Sequence, residues 1–76
     1  MNIEKFSDRV KELRIERSMS QKELGEIIGV SYGAVSDIER NRRSTLLSNA
    51  VVLADYFDVS IDYLVGRTDN PNSHKL

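Results

Sequence analysis

Apolar residues at the start of the chain recur at intervals of three and four, the spacing of one face of an α-helix. Phe6, Val10 and Leu13 lie on such a face, and Arg17 continues it. This pattern predicts a first helix that begins near Asn2 or Glu4 and ends at Arg17. The run from residue 18 to residue 20 interrupts the periodicity, so a turn is expected there.

The next two predicted helices are bounded by capping residues. Ser20 and Glu23 have the spacing of a capping box, in which the serine hydroxyl accepts the Glu23 amide and Glu23 reaches back. Gly29 ends this helix, because a positive φ is favoured just past a helix C-terminus. Ser31 is the N-cap of the third helix. The inward residues of both helices are Leu24, Ile27, Ile28, Val35 and Ile38.

A polar, basic loop from Asn41 to Thr45 precedes two further helices. The fourth ends near Phe57, and its apolar residues are Leu47, Ala50, Leu53, Ala54 and Phe57. Ser60 caps a short fifth helix over Ile61–Val65, which Gly66 ends. The pattern predicts an all-α, five-helix orthogonal bundle, with a domain over residues 1–66 and a flexible, untethered tail over 67–76.

The composition narrows the class of protein. The chain has 76 residues, enough for one domain, and no cysteine. No apolar run approaches the roughly 20 residues that span a bilayer. These features predict a protein of the reducing cytoplasm with no membrane partner. The single histidine, His74, lies in the predicted tail, and no catalytic constellation is present, so we expect neither an enzyme with a small-molecule substrate nor a cofactor or metal site.

The charge balance by itself does not predict a nucleic-acid partner. The formal net charge is −1, whereas nucleic-acid-binding domains are often strongly basic. Arg40, Arg42 and Arg43 form the one dense basic cluster in the sequence. Any contact with nucleic acid would therefore have to come from this cluster, and not from the net charge of the whole chain.

The stretch from Gln21 to Arg40 has the pattern of two short helices that meet across a tight turn. Gly25 is small where the second of these helices must pass close, and Val30 fills the turn after Gly29. Such a helix-turn-helix leaves the front of its second helix free to enter the major groove of DNA.

These residues carry a resemblance to a known family. The segment MSQKELGEIIGVSYGAVSDIERNRR, with LADYFDVSIDYLVG further on, resembles the Cro/CI-type helix-turn-helix regulators of phages and bacteria. The similarity runs from about Phe6 to Gly66. It implies a lambda-repressor-like DNA-binding domain that binds an operator in double-stranded DNA as a homodimeric transcriptional repressor on the bacterial nucleoid. The third helix, about Ser31–Arg40, would lie in the major groove.

The resemblance also implies roles for single residues. Gln21 and the loop residues Asn41, Arg42 and Arg43 would contact DNA phosphates. The reading positions would be Ser31, Tyr32, Gly33, Ser36, Asp37 and Arg40. Tyr32 could instead pack on the second helix, and Asp37 could tune selectivity rather than read a base. Arg14 of the first helix would pair with Glu39 at the end of the third.

The sequence departs from the family pattern at three positions. Asn41 and Thr45 stand where the family commonly has Gly and Pro, and Gly25 stands where it usually has Ala. Asn tolerates the left-handed conformation, so the turn at Asn41 can form.

Two points stay open from the sequence. Tyr56, Tyr63 and Val65 are possible dimer residues near the end of the bundle. The alternative to a DNA-binding regulator is a protein-interaction module of the same fold, such as an antitoxin-like or anti-repressor partner. The negative net charge, Gly33 and Asp37 favour that alternative. No effector domain is recognisable, so regulation could come from the protein's own concentration, from proteolysis of the tail or through a partner protein.

Overall fold

The computed structural model describes residues 2–72, and for Ile3 the backbone alone; His74 lies outside the described residues. Residues 2–72 contain five α-helices and no strand, which confirms the predicted all-α bundle. The helices are α1 (Ile3–Glu16), α2 (Gln21–Ile28), α3 (Tyr32–Glu39), α4 (Leu47–Phe57) and α5 (Ile61–Leu64). No helix in this part of the chain is long and apolar enough to cross a membrane.

Side-chain caps begin four of the helices. Asn2 accepts the Lys5 amide at the start of α1, and the hydroxyls of Ser20, Ser31 and Ser60 do the same for α2, α3 and α5. The capping box is complete, because Glu23 also accepts the Ser20 amide at 2.9 Å. Helix α4 differs: its N-cap is Leu46, which supplies no side-chain hydrogen bond.

Each helix is followed by one residue in the left-handed conformation. These residues are Ser18, Gly29, Asn41, Asp58 and Gly66, with φ between 54° and 84°. In every case the next residue donates its amide to a carbonyl five positions back, as Arg42 does to Asp37 at 2.8 Å. This Schellman arrangement satisfies carbonyls that the helix end leaves unpaired.

The core lies where α1, α4 and α5 meet the helix-turn-helix. Phe6, Phe57, Leu24, Leu53 and Leu64 are the largest fully buried side chains. Val65 belongs to the same cluster and is buried. Arg17, expected on the inward face of α1, lies at its edge instead: its guanidinium sits 5.4 Å from the centre of the Phe57 ring and donates to the Phe57 carbonyl.

The segment after α5 differs from the untethered tail that we expected. Arg9 of α1 donates to the Thr68 carbonyl at 2.8 Å and to the Asp69 carboxylate at 2.7 Å. The Ser60 amide donates to the Pro71 carbonyl at 2.7 Å. These bonds hold residues 68–71 against α1 and the start of α5, so the expectation is corrected for that stretch. Where the domain ends remains a prediction.

Candidate nucleic-acid interface

The turn between α2 and α3 is built on close backbone contact. A Cβ atom at Gly25 would lie 2.4 Å from the Val30 carbonyl oxygen, so no side chain fits without moving the turn. Gly29 follows α2 with φ 72°, a conformation that favours glycine. The predicted close approach at Gly25 is therefore present, although the chain that approaches is the turn itself rather than α3.

Helix α3 has one buried and one open face. Ala34, Val35, Ile38 and Glu39 are buried. The five positions 32, 33, 36, 37 and 40 lie on the opposite face, because their spacing repeats every four residues. Tyr32, Gly33 and Arg40 are exposed, and Ser36 and Asp37 are half-buried. Five of the six predicted reading residues thus share one open surface, which we call the α3 face. The sixth, Ser31, is exposed at the N-cap position just before it.

Tyr32 and Gly33 lie at the tip of the α3 face. The Tyr32 side chain is 67% exposed, so it does not pack closely on α2 as the alternative interpretation required. A Cβ at Gly33 would meet nothing closer than the Ser31 hydroxyl at 3.8 Å. Ser31 accepts the Ala34 amide at 3.2 Å and keeps its own hydroxyl hydrogen for a second bond. The tip therefore offers open space and hydrogen-bond donors.

A hydrogen-bonded network anchors α3 to α1 and α2. Arg14 pairs with Glu39 through two bonds, Nε to Oε2 at 2.7 Å and Nη2 to Oε1 at 3.0 Å. Its third bond goes to the Met19 carbonyl at 2.8 Å. This is the ion pair that the resemblance implied. The hydrogen bonds that Arg14 donates to Glu39 raise the pKa of Arg14, so on the alkaline side the guanidinium keeps its charge and the pair persists well above neutral pH.

Gln21, the predicted phosphate contact at the start of α2, belongs to the same network. Its Nε2 donates to Glu39 Oε1 at 3.3 Å. An amide nitrogen carries two hydrogens, so one remains to reach a phosphate. Glu39 thereby limits where the Gln21 side chain can point. The sequence did not reveal this contact, because the two residues are 18 positions apart and no local pattern links them.

The loop after α3 carries the positive charge. Arg42 and Arg43 are exposed, and Arg40 precedes them at the end of the α3 face. Asn41 adopts the left-handed conformation with φ 60°, which fits the tolerance of Asn expected at this position. No acidic residue occurs between Glu39 and Asp55 in the sequence. Arg40, Arg42 and Arg43 therefore form a local basic edge beside the α3 face, although the net charge of the chain is slightly negative.

The three possible dimer residues have different surroundings. Tyr56 is 45% exposed on α4. Tyr63 is half-buried, with the Arg9 guanidinium 4.0 Å from its ring centre. Val65 is buried in the core and presents almost no surface to a second copy. Of the three, only Tyr56 is well exposed. Val65 is not available for a dimer contact, because its side chain packs in the core of the monomer.

The described residues hold no group of three or more His, Cys, Asp and Glu side chains that could bind a metal ion. A cleft between α1 and the end of α3 is lined by Glu4, Ser7, Asp8, Glu39, Arg40 and Asn41. It is open and polar and adjoins the basic edge through Arg40.

Known proteins resemble this chain in sequence and in fold. One is an uncharacterized HTH-type transcriptional regulator, YobD of Bacillus subtilis, 31% identical over 67 residues, which are 88% of this chain and 60% of that protein. Another is the cryptic phage CTXphi transcriptional repressor RstR of Vibrio cholerae, 31% identical over 93% of this chain and 64% of that one. The chain thus spans about six tenths of the length of these relatives.

A solved structure shares the fold. The P22 c2 repressor, crystallised with a synthetic operator, superposes with a TM-score of 0.72 at 30% identity, over 79% of this chain and 91% of its own. The helix-turn-helix family model matches residues 10–64, which include all of α2, α3 and α4. On this match, and with the lambda-repressor-like fold, the chain belongs to the helix-turn-helix family, as its likeness to Cro/CI-type regulators predicted.

Proposed function

We propose that this protein binds double-stranded DNA sequence-specifically and represses transcription, with the α3 face in the major groove. The observation that carries the proposal is the α3 face itself, an open stripe of polar and aromatic side chains beside a basic loop. The P22 c2 repressor, which has this fold, was crystallised with a synthetic operator, and RstR is a transcriptional repressor. In a bacterial or phage setting this activity belongs to the cytoplasm, at the nucleoid.

The proposed contacts divide into positioning and reading. Arg42, Arg43 and Gln21 would hold phosphates, which sets the register without reading sequence. Tyr32 and Ser36 can exchange hydrogen bonds with base edges, and the Tyr32 ring can lie against a thymine methyl. Asp37 can accept from a cytosine amino group, the major-groove partner suited to a carboxylate. With so few readers, DNA shape would supply part of the specificity.

The proposal includes a homodimer on a two-fold symmetric operator. One short recognition helix contacts only a few base pairs, and helix-turn-helix proteins commonly gain affinity by placing two such helices about 34 Å apart. The dimer would use exposed residues of α4, including Tyr56, rather than Val65. A partner protein could regulate it, as the sequence left open.

The test is selection of sites from random duplex DNA, followed by a salt titration on the selected site. We expect a two-fold symmetric consensus and an affinity that falls steeply with salt, because phosphate contacts release counterions. Replacing Arg42 and Arg43 by Ala should weaken binding to all sequences and reduce the salt slope by about one unit per lost contact.

The matched control removes two positive charges elsewhere, with Lys11→Ala and Arg67→Ala. Both side chains are exposed and lie outside the helix-turn-helix and its loop. The control should retain most of the affinity. Equal affinity of the Arg42→Ala, Arg43→Ala variant and the parent chain would contradict the proposal and favour the protein-interaction module. So would a selection that enriches no site.

A further inference from the structure

Helix α4 exposes an unusual amount of apolar side chain. Leu47 is 69% exposed, Val51 43%, Val52 41% and Tyr56 45%, and the N-cap Leu46 is 70% exposed. The opposite side of the same helix is fully used in the core, through Ala50, Leu53, Ala54 and Phe57. We call the outward residues 47, 48, 51, 52, 55 and 56 the α4 face. Contiguous apolar surface of this kind marks interaction sites.

The order of residues on the α4 face is self-complementary when the helix is reversed. If two copies of α4 lie antiparallel with a two-fold axis between Val51 and Val52, the valines of both copies meet at the axis. Ser48 then faces Asp55 of the other copy. Leu47 lies at the level of Tyr56 of the other copy, so apolar residues also meet at both ends. A two-fold interface requires this reciprocity: if residue 48 of one copy contacts residue 55 of the other, then residue 55 of the first copy contacts residue 48 of the second.

Charge favours the same arrangement. Asp55 is exposed in the last turn of α4, where the negative end of the helix dipole disfavours a carboxylate. The first turn of α4 has no acidic residue, and its N-cap lacks a side-chain hydrogen bond. In the antiparallel pair, Asp55 of each copy lies beside the first turn of the other. There it meets the positive end of a helix dipole and the Ser48 hydroxyl.

We propose that the α4 face is where a second copy of this chain docks, antiparallel, with Val51 and Val52 at the two-fold axis. The proposal deepens the homodimer suggested above, and it can fail without affecting DNA binding by each copy. One helix of 11 residues is about 16 Å long, so the contact area is below that of a standard interface and the free dimer is weak.

Two substitutions at Ser48 test the pairing, by sedimentation of the full chain over a range of concentrations without DNA. Ser48→Lys places an ammonium opposite Asp55 twice per dimer, and should lower the dissociation constant by about fivefold. Ser48→Glu places like charges opposite each other and should raise it by a similar factor. Glu12→Gln and Lys11→Gln are controls with the same changes in net charge on α1, and should leave it unaltered.

The effects on the monomer run the other way, which separates docking from folding. At the start of a helix an acid stabilises and a base destabilises. In dilute solution Ser48→Glu should therefore raise the unfolding midpoint and Ser48→Lys lower it. A dimer whose dissociation constant follows monomer stability, or ignores both substitutions, would overturn the docking at the α4 face.

A second measurement uses the absence of cysteine from the sequence. Val51→Cys should form a disulfide-linked dimer on mild oxidation, because the two copies of residue 51 lie beside the axis. Ile15→Cys, at an exposed apolar position on α1, is the control and should stay monomeric. Operator binding by the parent chain, with no cross-link at residue 51, would overturn the α4 docking and leave the proposed function standing. Absence of both operator binding and the cross-link would count against the proposed function and against the α4 docking.

Discussion

Two buried serines show how differently the same side chain can be used. Ser7 and Ser60 are each 2% exposed. The Ser60 hydroxyl accepts the Tyr63 amide at 3.0 Å and so caps α5. The Ser7 hydroxyl has no hydrogen-bond partner among the residues that the structure describes. Burying a hydroxyl without a partner destabilises the folded protein, whereas a hydroxyl that caps a helix stabilises it.

We therefore expect opposite effects from the same substitution. Ser7→Ala should raise the free energy of unfolding by about 1 kcal/mol, because it removes an unpaired polar group and favours the helix. Ser60→Ala should lower it by about 1 kcal/mol, because α5 loses its cap. Urea unfolding of both variants beside the parent chain measures the difference. A loss of stability in Ser7→Ala would mean that its hydroxyl makes a bond within the folded protein.

At the scale of the helices, sequence signals were strongest at the N-terminal ends. The serine caps of α2, α3 and α5 were all predicted, because the bond runs within three residues. The C-terminal ends were recognisable where Gly29 and Gly66 occur. Ser18 and Asp58 adopt the same left-handed conformation without a glycine, so no glycine in the sequence marked these two helix ends.

The two glycines inside helices should respond oppositely to alanine. Gly33→Ala adds a methyl group in open space, and should stabilise the protein by up to about 1 kcal/mol through helix propensity. Gly25→Ala gains the same propensity, but its methyl group meets the Val30 carbonyl, so the variant should be less stable than the parent chain. Thermal unfolding of the pair provides the comparison. Equal gains in both would show that the turn moves aside without cost.

At the scale of the whole molecule, the two ends of the described chain are held together. The Asn2 amide donates to the Val65 carbonyl at 2.9 Å. Arg9 also donates to the Tyr63 carbonyl, so one guanidinium joins α1, α5 and the segment after it. Lys5 lies 3.5 Å from the Asp69 carboxylate and adds to this attachment.

The attachment of the segment after α5 to Arg9 and Lys5 should depend on pH, because it includes the Asp69 carboxylate. The hydrogen bond from Arg9, with the charge of Lys5, holds the pKa of Asp69 below its ordinary value of 3.8. The link is therefore intact at neutral pH and is lost as the pH falls below 3.8, through the lowered pKa in the folded protein. In an NMR titration, Arg9→Gln should return the Asp69 pKa towards its ordinary value.

The same variant should speed hydrogen exchange at the Ser60 amide, which donates to Pro71. Glu12→Gln is a suitable control, because that side chain is exposed on α1 and makes none of these bonds. An Asp69 pKa that is unchanged by Arg9→Gln would contradict the attachment.

The sequence by itself determined what depends on neighbours along the chain. Three- and four-residue periodicity defined the helices, and the same spacing put positions 32, 33, 36, 37 and 40 on one face of α3. Serine caps and two glycines marked half of the helix boundaries. The Arg14–Glu39 pair was accessible through the family resemblance, although the two residues are 25 positions apart.

Only the tertiary structure decided which distant groups meet. It brought Gln21 to Glu39, buried Val65, placed Tyr63 beneath Arg9 and drew residues 68–71 onto α1. Helical periodicity says which side of a helix is apolar, but not how that side is rotated against its neighbours. Such contacts depend on how the helices pack, because a bond between residues 54 to 60 positions apart leaves no trace in local spacing.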